Sequence, residues 1–191
     1  MKKKKIIPFI NAENEYPENI IKLADEYACK GADELFIYNY TGDEASRDEF
    51  LSTARAIEKQ IDIPFMIGMY VERFEDAKKA LYTGAYKLVL RNALLPEQLM
   101  LEVDMKAAFM NAEALDRYYD MGIGSAMLKH IDCTKSFTDT INSTKMDIMI
   151  RDGLIRNDLA ELLSFEKTDA VSTNYFEDTE DRDIYRAKRA L

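Results

Sequence analysis

The chain has 191 residues, 47% of them apolar and 32% charged, the balance of a folded globular protein with one substantial core rather than a disordered or fibrous one. A formal net charge of −9 argues against broad binding to a nucleic-acid backbone, because an acidic surface repels a polyanion. The longest apolar run near the start, IIPFI, falls far short of the ~18 residues a membrane span needs, and the lysines before it lack the apolar stretch of a signal peptide, so the expected location is the cytosol with no membrane partner.

Lys2 to Lys5 form one basic run, expected to be a solvated strand start or a contact point. Cys29 and Cys133 have no paired metal spacing and are expected as reduced, buried or half-buried thiols. In chain order, β-branched and aromatic stretches predict strands at 6–11, 34–40, 64–70, 86–92, 100–105, 126–132, 146–151 and 170–175. Apolar residues spaced by three and four predict helices at Glu18–Cys29, Ser46–Gln60, Phe74–Tyr82, Ala112–Asp120, Asn157–Phe165 and Glu180–Ala190. Only ALLPEQL follows the fourth strand and only TKSFTDTINSTK follows the sixth, so helices there are expected to be reduced or missing.

Alternating strands and helices build parallel βα units, and eight such units close into a barrel. The expected fold is therefore α/β, a compact (β/α)8 TIM barrel in a single domain over residues 1–191. An offset of 83 residues lays 67–92 on 150–175 without a gap, with strand and helix in phase, which suggests two half-barrels. Stripped flanks at the fourth and sixth strands would expose apolar surface, for which a homodimer or a fused or partner domain is the expected cover.

Candidate site residues cluster at strand ends. Asp104 ends the fifth strand, either as a catalytic carboxylate or as one held by Lys106 or Lys129. His130 and Asp132, two apart and so on one strand face, could act as a general base and its orienter, or as a polar residue with its partner. Arg91 and Arg151 could grip a phosphate or carboxylate, or pair with Asp104, Asp132 or Asp152 and fill space. Tyr38, Tyr40 and Tyr70 would line an aromatic pocket or plug the interior. No Walker loop, paired CxxC, HExxH or GxSxG occurs, and no cofactor or metal is expected.

KIIPFI, ADEYACKGADELFIYNYTG, IDIPFMIGMYVERFEDAKKALYTGAYKLVLRNA and LEVDMK, followed by AMLKHIDCTKS, IMIRDGLI and DAVSTNYF, resemble the cyclase subunit of imidazole glycerol phosphate synthase, a barrel of histidine biosynthesis. The resemblance implies two aspartates, ending the first and fifth strands, that move protons during ring closure. Asp104 matches one, but Asn11 stands for the other, and an amide has no titratable proton to exchange. A third acid, on the second strand, is matched by Asn39, and the long first loop is cut to AENEYPEN.

The family's glycine-rich phosphate turns are reduced to Gly68-Met69-Tyr70 and Arg151-Asp152-Gly153, where Gly68 and Gly153 survive. The implied reading is a degenerate cyclase-like barrel, like the segment found ahead of the phosphoribosyl-AMP cyclohydrolase and phosphoribosyl-ATP pyrophosphatase domains in some bacterial fusions. It would lack ring-closing catalysis and act as a structural or interaction module. The alternative is an active lyase or isomerase on a phosphorylated small molecule.

Overall fold

The computed structural model describes residues 4–90, 99–104, 112–129, 135–152, 159–173, 184 and 188. Its elements run β1 (Lys5–Asn11), α1 (Pro17–Cys29), β2 (Leu35–Asn39), α2 (Glu44–Glu58), β3 (Phe65–Met69), α3 (Phe74–Leu81), β4 (Lys87–Leu90), β5 (Leu99–Asp104), α4 (Ala112–Asp120), β6 (Ser125–Lys129), α5 (Lys135–Ser143), β7 (Asp147–Asp152), α6 (Leu159–Ser164) and β8 (Thr168–Thr173). The eight strands form a closed, parallel barrel in sequence order. Closure comes from β8 pairing with β1, where Ile6 lies beside Val171 and Ile7 beside Ser172. Among the described residues, no helix is long and apolar enough to cross a membrane.

Local chemistry sets the element ends. Pro17 supplies a preset φ in the first turn of α1. The Asp43 carboxylate caps α2 by accepting the Ser46 N–H and the Ser46 hydroxyl, both at 2.8 Å. Those hydrogen bonds, the backbone one foremost, hold the Asp43 carboxyl below the usual carboxylate range. Gly31, Gly84 and Gly122 take φ of 91°, 96° and 98° just after α1, α3 and α4, the left-handed conformation that turns the chain from helix into the next strand.

Two apolar layers result. The outer one lies between strands and helices and holds Ile6, Ile10, Tyr27, Leu35, Ile37, Phe50, Ile57, Ile67, Leu88, Leu128 and Ile150 among others. The inner one fills the barrel lumen with Ile7, Phe9, Phe36, Met66, Val89, Met127, Met149 and Ala170, with Tyr38 packed against them. Strand alternation sorts the two sets: Ile6 and Ile10 face helices, while Ile7 and Phe9 face inward.

The segment after β6 decides between the two expectations for it, a reduced helix or none. TKSFTDTINSTK contains the nine-residue helix α5, shorter than the 13-residue α1 and the 15-residue α2 but not missing. Phe137, Thr140 and Ile141 are buried at helical spacing, and the polar threonine inside that stripe dilutes its apolar signal. The residues after β4 lie outside the described set, as does most of the predicted helix at 180–190. Ile184 joins the outer core, and the Lys188 ammonium meets the Asp33 carboxylate at 2.7 Å, beside the start of β2.

The expected bare flanks are corrected. Leu88 and Leu90 of β4 and Ala126 and Leu128 of β6 are all at most 1% exposed, so this chain already covers the outward faces of both strands. Cys29 is an exposed free thiol rather than a buried one, because it sits in the last turn of α1 away from the core stripe. Cys133 falls outside the described residues. The basic run is engaged in part: the Lys4 ammonium donates to the Phe165 carbonyl at 2.5 Å, and Lys5 pairs with Glu34.

Candidate functional site

All eight strands point their C-terminal ends to one rim, where the candidate residues were expected. Asn11, the last residue of β1, is exposed, and its side-chain oxygen accepts the Glu13 N–H at 2.9 Å. Asn39, the last residue of β2, is buried and repeats the arrangement, accepting the Thr41 N–H at 2.9 Å and the Thr41 hydroxyl at 2.6 Å. Each amide thus closes a turn two residues ahead of itself. Glu13 ties the two loops together by accepting the Tyr40 N–H at 3.1 Å, and Asn14 takes a left-handed φ of 64° in the shortened first loop.

Below these turns the lumen is filled. Tyr38 lies 5.4 Å from Phe36, 5.9 Å from Phe9 and 5.5 Å from Tyr40, ring centre to ring centre. The Arg151 guanidinium, 5% exposed, stands 5.0 Å from the Tyr38 ring and 5.7 Å from Phe9, within cation–π range of both. A Cβ placed on Gly68 would lie 2.5 Å from the Tyr40 hydroxyl and 3.0 Å from the Phe36 ring. The glycine here makes room for aromatic side chains. Tyr70, after β3, is half-buried.

Asp104 ends β5 in register with Lys129, and Lys129 is in register with Arg151 across β6 and β7. The backbone therefore places Asp104 and Arg151 on strands on either side of β6, at the same rim. Arg91, His130, Asp132 and Gly153 lie outside the described residues.

A second polar cluster occupies the opposite, N-terminal mouth. A cavity of about 440 Å³ there is lined by Lys5, Glu34, Tyr86, Lys87, Asp147 and Asp169 over an apolar floor that includes Ile7 and Met149. Lys5 pairs with one Glu34 carboxylate oxygen, and the Tyr86 hydroxyl donates to the other at 2.5 Å. Burial, with the neighbouring Glu34 carboxylate, pushes the Tyr86 phenol up. Among the described residues, the Lys87 ammonium donates to the Ser125 hydroxyl, at 3.4 Å; burial lowers its pKa, opposed by the pull of Glu34, Asp169 and Asp147 and aided by Lys5.

Sequence reasoning passed over this cluster, although alternation carried its signal. Lys5, Glu34 and Lys87 each stand two residues before a lumen residue, Ile7, Phe36 and Val89, and so share its strand face.

Comparison with known proteins then decides the family. The family model described as "Histidine biosynthesis protein" matches residues 9–116, more than half of the chain. The chain belongs to this histidine biosynthesis family. Within it, the imidazole glycerol phosphate synthase subunit HisF of Tolumonas auensis is 30% identical over 118 residues, covering 61% of this chain and 46% of that protein. The HisF of Aeromonas hydrophila is 27% identical over 154 residues, covering 73% of this chain and 60% of that protein. The chain thus spans about half of the relatives it matches.

Among solved structures, the tryptophan synthase alpha chain of Legionella pneumophila superposes with a TM-score of 0.65 at 18% identity, covering 98% of this chain and 84% of that one, a likeness of fold alone. The family match contains Asn11, Asn39, Gly68, Arg91 and Asp104, whereas His130, Asp132, Arg151 and Gly153 lie beyond it.

Proposed function

We propose that this member of the histidine biosynthesis family no longer performs ring closure and serves as a structural or interaction module, a single cytoplasmic barrel domain. The observation that carries the reading is the filled C-terminal end of the lumen, where Tyr40 occupies the space beside Gly68 and Arg151 rests on Tyr38 and Phe9. Phosphate binding at such a turn requires backbone N–H groups open to the anion, and bulky rings compete for that volume. The two amides, Asn11 and Asn39, supply turn-closing acceptors without a proton to exchange.

Calorimetry with inorganic phosphate and ribose 5-phosphate tests the reading: no saturable heat is expected from either. Restoring Asn11→Asp should produce no cyclase turnover, because the acid alone recreates neither the phosphate turns nor the long first loop. Saturable binding that disappears in Arg151→Ala, or turnover in the Asn11→Asp variant, would overturn it.

A second reading, a lyase or isomerase acting on an anionic substrate, draws on the register of Asp104, Lys129 and Arg151 at adjacent strand ends. It requires tight binding of a phosphorylated compound that is lost in Asp104→Asn or Arg91→Ala. His130 and Asp132 would then supply the acid.

A further inference from the structure

Phe36, Tyr38 and Tyr40 alternate along β2 and one residue beyond its end at Asn39, so their rings rise in one column towards the C-terminal rim, 5.4 Å from Phe36 to Tyr38 and 5.5 Å from Tyr38 to Tyr40. Phe36 is fully buried, Tyr38 and Tyr40 are half-buried, and Tyr40 is the outermost of the three. Its seat is shaped for a ring: a Cβ on Gly68 would stand 2.5 Å from the Tyr40 hydroxyl, so a bare backbone on β3 is what lets the phenol lie there.

The backbone of Tyr40 is held by a side chain. At the rim the parallel ladder of β1 and β2 carries the Ala12 N–H to the Tyr38 carbonyl at 2.9 Å, and a further rung would take the Tyr40 N–H to the Ala12 carbonyl. The Tyr40 N–H donates instead to the Glu13 carboxylate at 3.1 Å. Glu13 is fixed in turn by its own N–H, which donates to the Asn11 side-chain oxygen at 2.9 Å, and by Asn14, whose φ of 64° turns the chain directly after it. On the other side, Thr41 and Gly42 join Tyr40 to the Asp43 cap of α2. A Cβ on Gly42 would meet nothing within 4 Å, which leaves this link room to turn about the Asn39–Thr41 contact while β2 and α2 stay in place.

We propose that Tyr40 is a hinged stopper and Glu13 its latch. The carboxylate keeps the Tyr40 ring over Gly68; loss of that one hydrogen bond lets the ring swing out and opens the lumen down to Tyr38. Glu13 is thus a positioning residue, acting on the lumen through Tyr40. The inference rests on the filled lumen described above and adds that the filling is reversible.

Tetranitromethane, which nitrates accessible tyrosine rings, tests this on the full chain, with the nitrated positions mapped by peptide mass spectrometry and Tyr82, 79% exposed, as internal reference. Tyr38 is expected to react well behind Tyr82 in the unmodified chain. Glu13→Ala should speed its nitration by about tenfold or more, the shift in opening that follows from losing a hydrogen bond to a charged group. Glu13→Gln keeps an acceptor oxygen and should restore most of the protection. Tyr40→Ala should bare Tyr38 as well, and adding Glu13→Ala to it should change nothing further, because the latch then has no stopper to hold. An unchanged Tyr38 rate in Glu13→Ala overturns the latch and leaves the filled lumen standing. Effects that multiply in the double variant, the mark of a general loosening, overturn it equally. Tyr38 reacting as fast as Tyr82 in the unmodified chain overturns both the latch and the filled lumen.

Discussion

A methyl group at Gly68 would be driven against the Tyr40 hydroxyl 2.5 Å away and the Phe36 ring 3.0 Å away, so this glycine is needed for what fills the barrel. Gly68→Ala is expected to cost about 1–3 kcal/mol, the usual penalty of overpacking, read as a lower urea midpoint. If Tyr40 is the obstacle, Tyr40→Phe in the same background should recover part of that loss. Lys87 supports a pH prediction. Its depressed pKa means that the unfolded chain binds the proton more strongly, so the penalty is fully present below the folded-state pKa and disappears as pH rises past the ordinary lysine value of 10.5. Lys87→Met should therefore raise the melting temperature near neutral pH, with the gain shrinking in alkaline buffer. The departures at Asn11, Asn39 and the turn after Gly68 were legible from the sequence as losses of acid and of further glycines. What each does instead, closing a turn or making room for a ring, depends on partners two or more residues away and on other strands.

Among the elements, the eight strands and five of the helices followed directly from apolar spacing, with ends within a few residues. Helix α5 did not, because Phe137 and Ile141 are its only large apolar residues and Thr140 completes the buried face. Just beyond it, the Thr144 hydroxyl and the Lys145 N–H both bond to Asp116 of α4, at 2.8 Å and 2.7 Å, a tie between the end of α5 and α4 that no local pattern announces. The Lys145 N–H is the chief reason that the Asp116 carboxyl sits below its usual range. Phe137, 2% exposed, anchors the helix, and Phe137→Ala should cost about 3–5 kcal/mol by denaturant titration. A loss of only a few tenths would mean that α5 contributes little to the packing of β6.

For the whole molecule, the 83-residue offset places β3 to β4 over β7 to β8 with α3 over α6, so the repeat seen in the sequence is a repeat of βαβ units in the barrel. Because Leu88, Leu90, Ala126 and Leu128 are covered by this chain, no bare strand flank at β4 or β6 demands a second copy. Sedimentation should therefore show the isolated chain at its own mass of 22.0 kDa, with little binding of an apolar dye; a dimer stable on dilution would contradict this. Strand and helix order, and with them the barrel, could be read from the chain alone because parallel strands buried on both faces leave continuous apolar runs between amphipathic helices, while the family came from the resemblance of its motifs. A tyrosine plug was among the readings of the sequence, but the packing of Arg151 on Tyr38 and Phe9, and the Lys87 cavity at the other mouth, emerged only on folding. Both join residues from strands far apart in sequence, and closing the ring between β8 and β1 is what brings those strands around a common lumen.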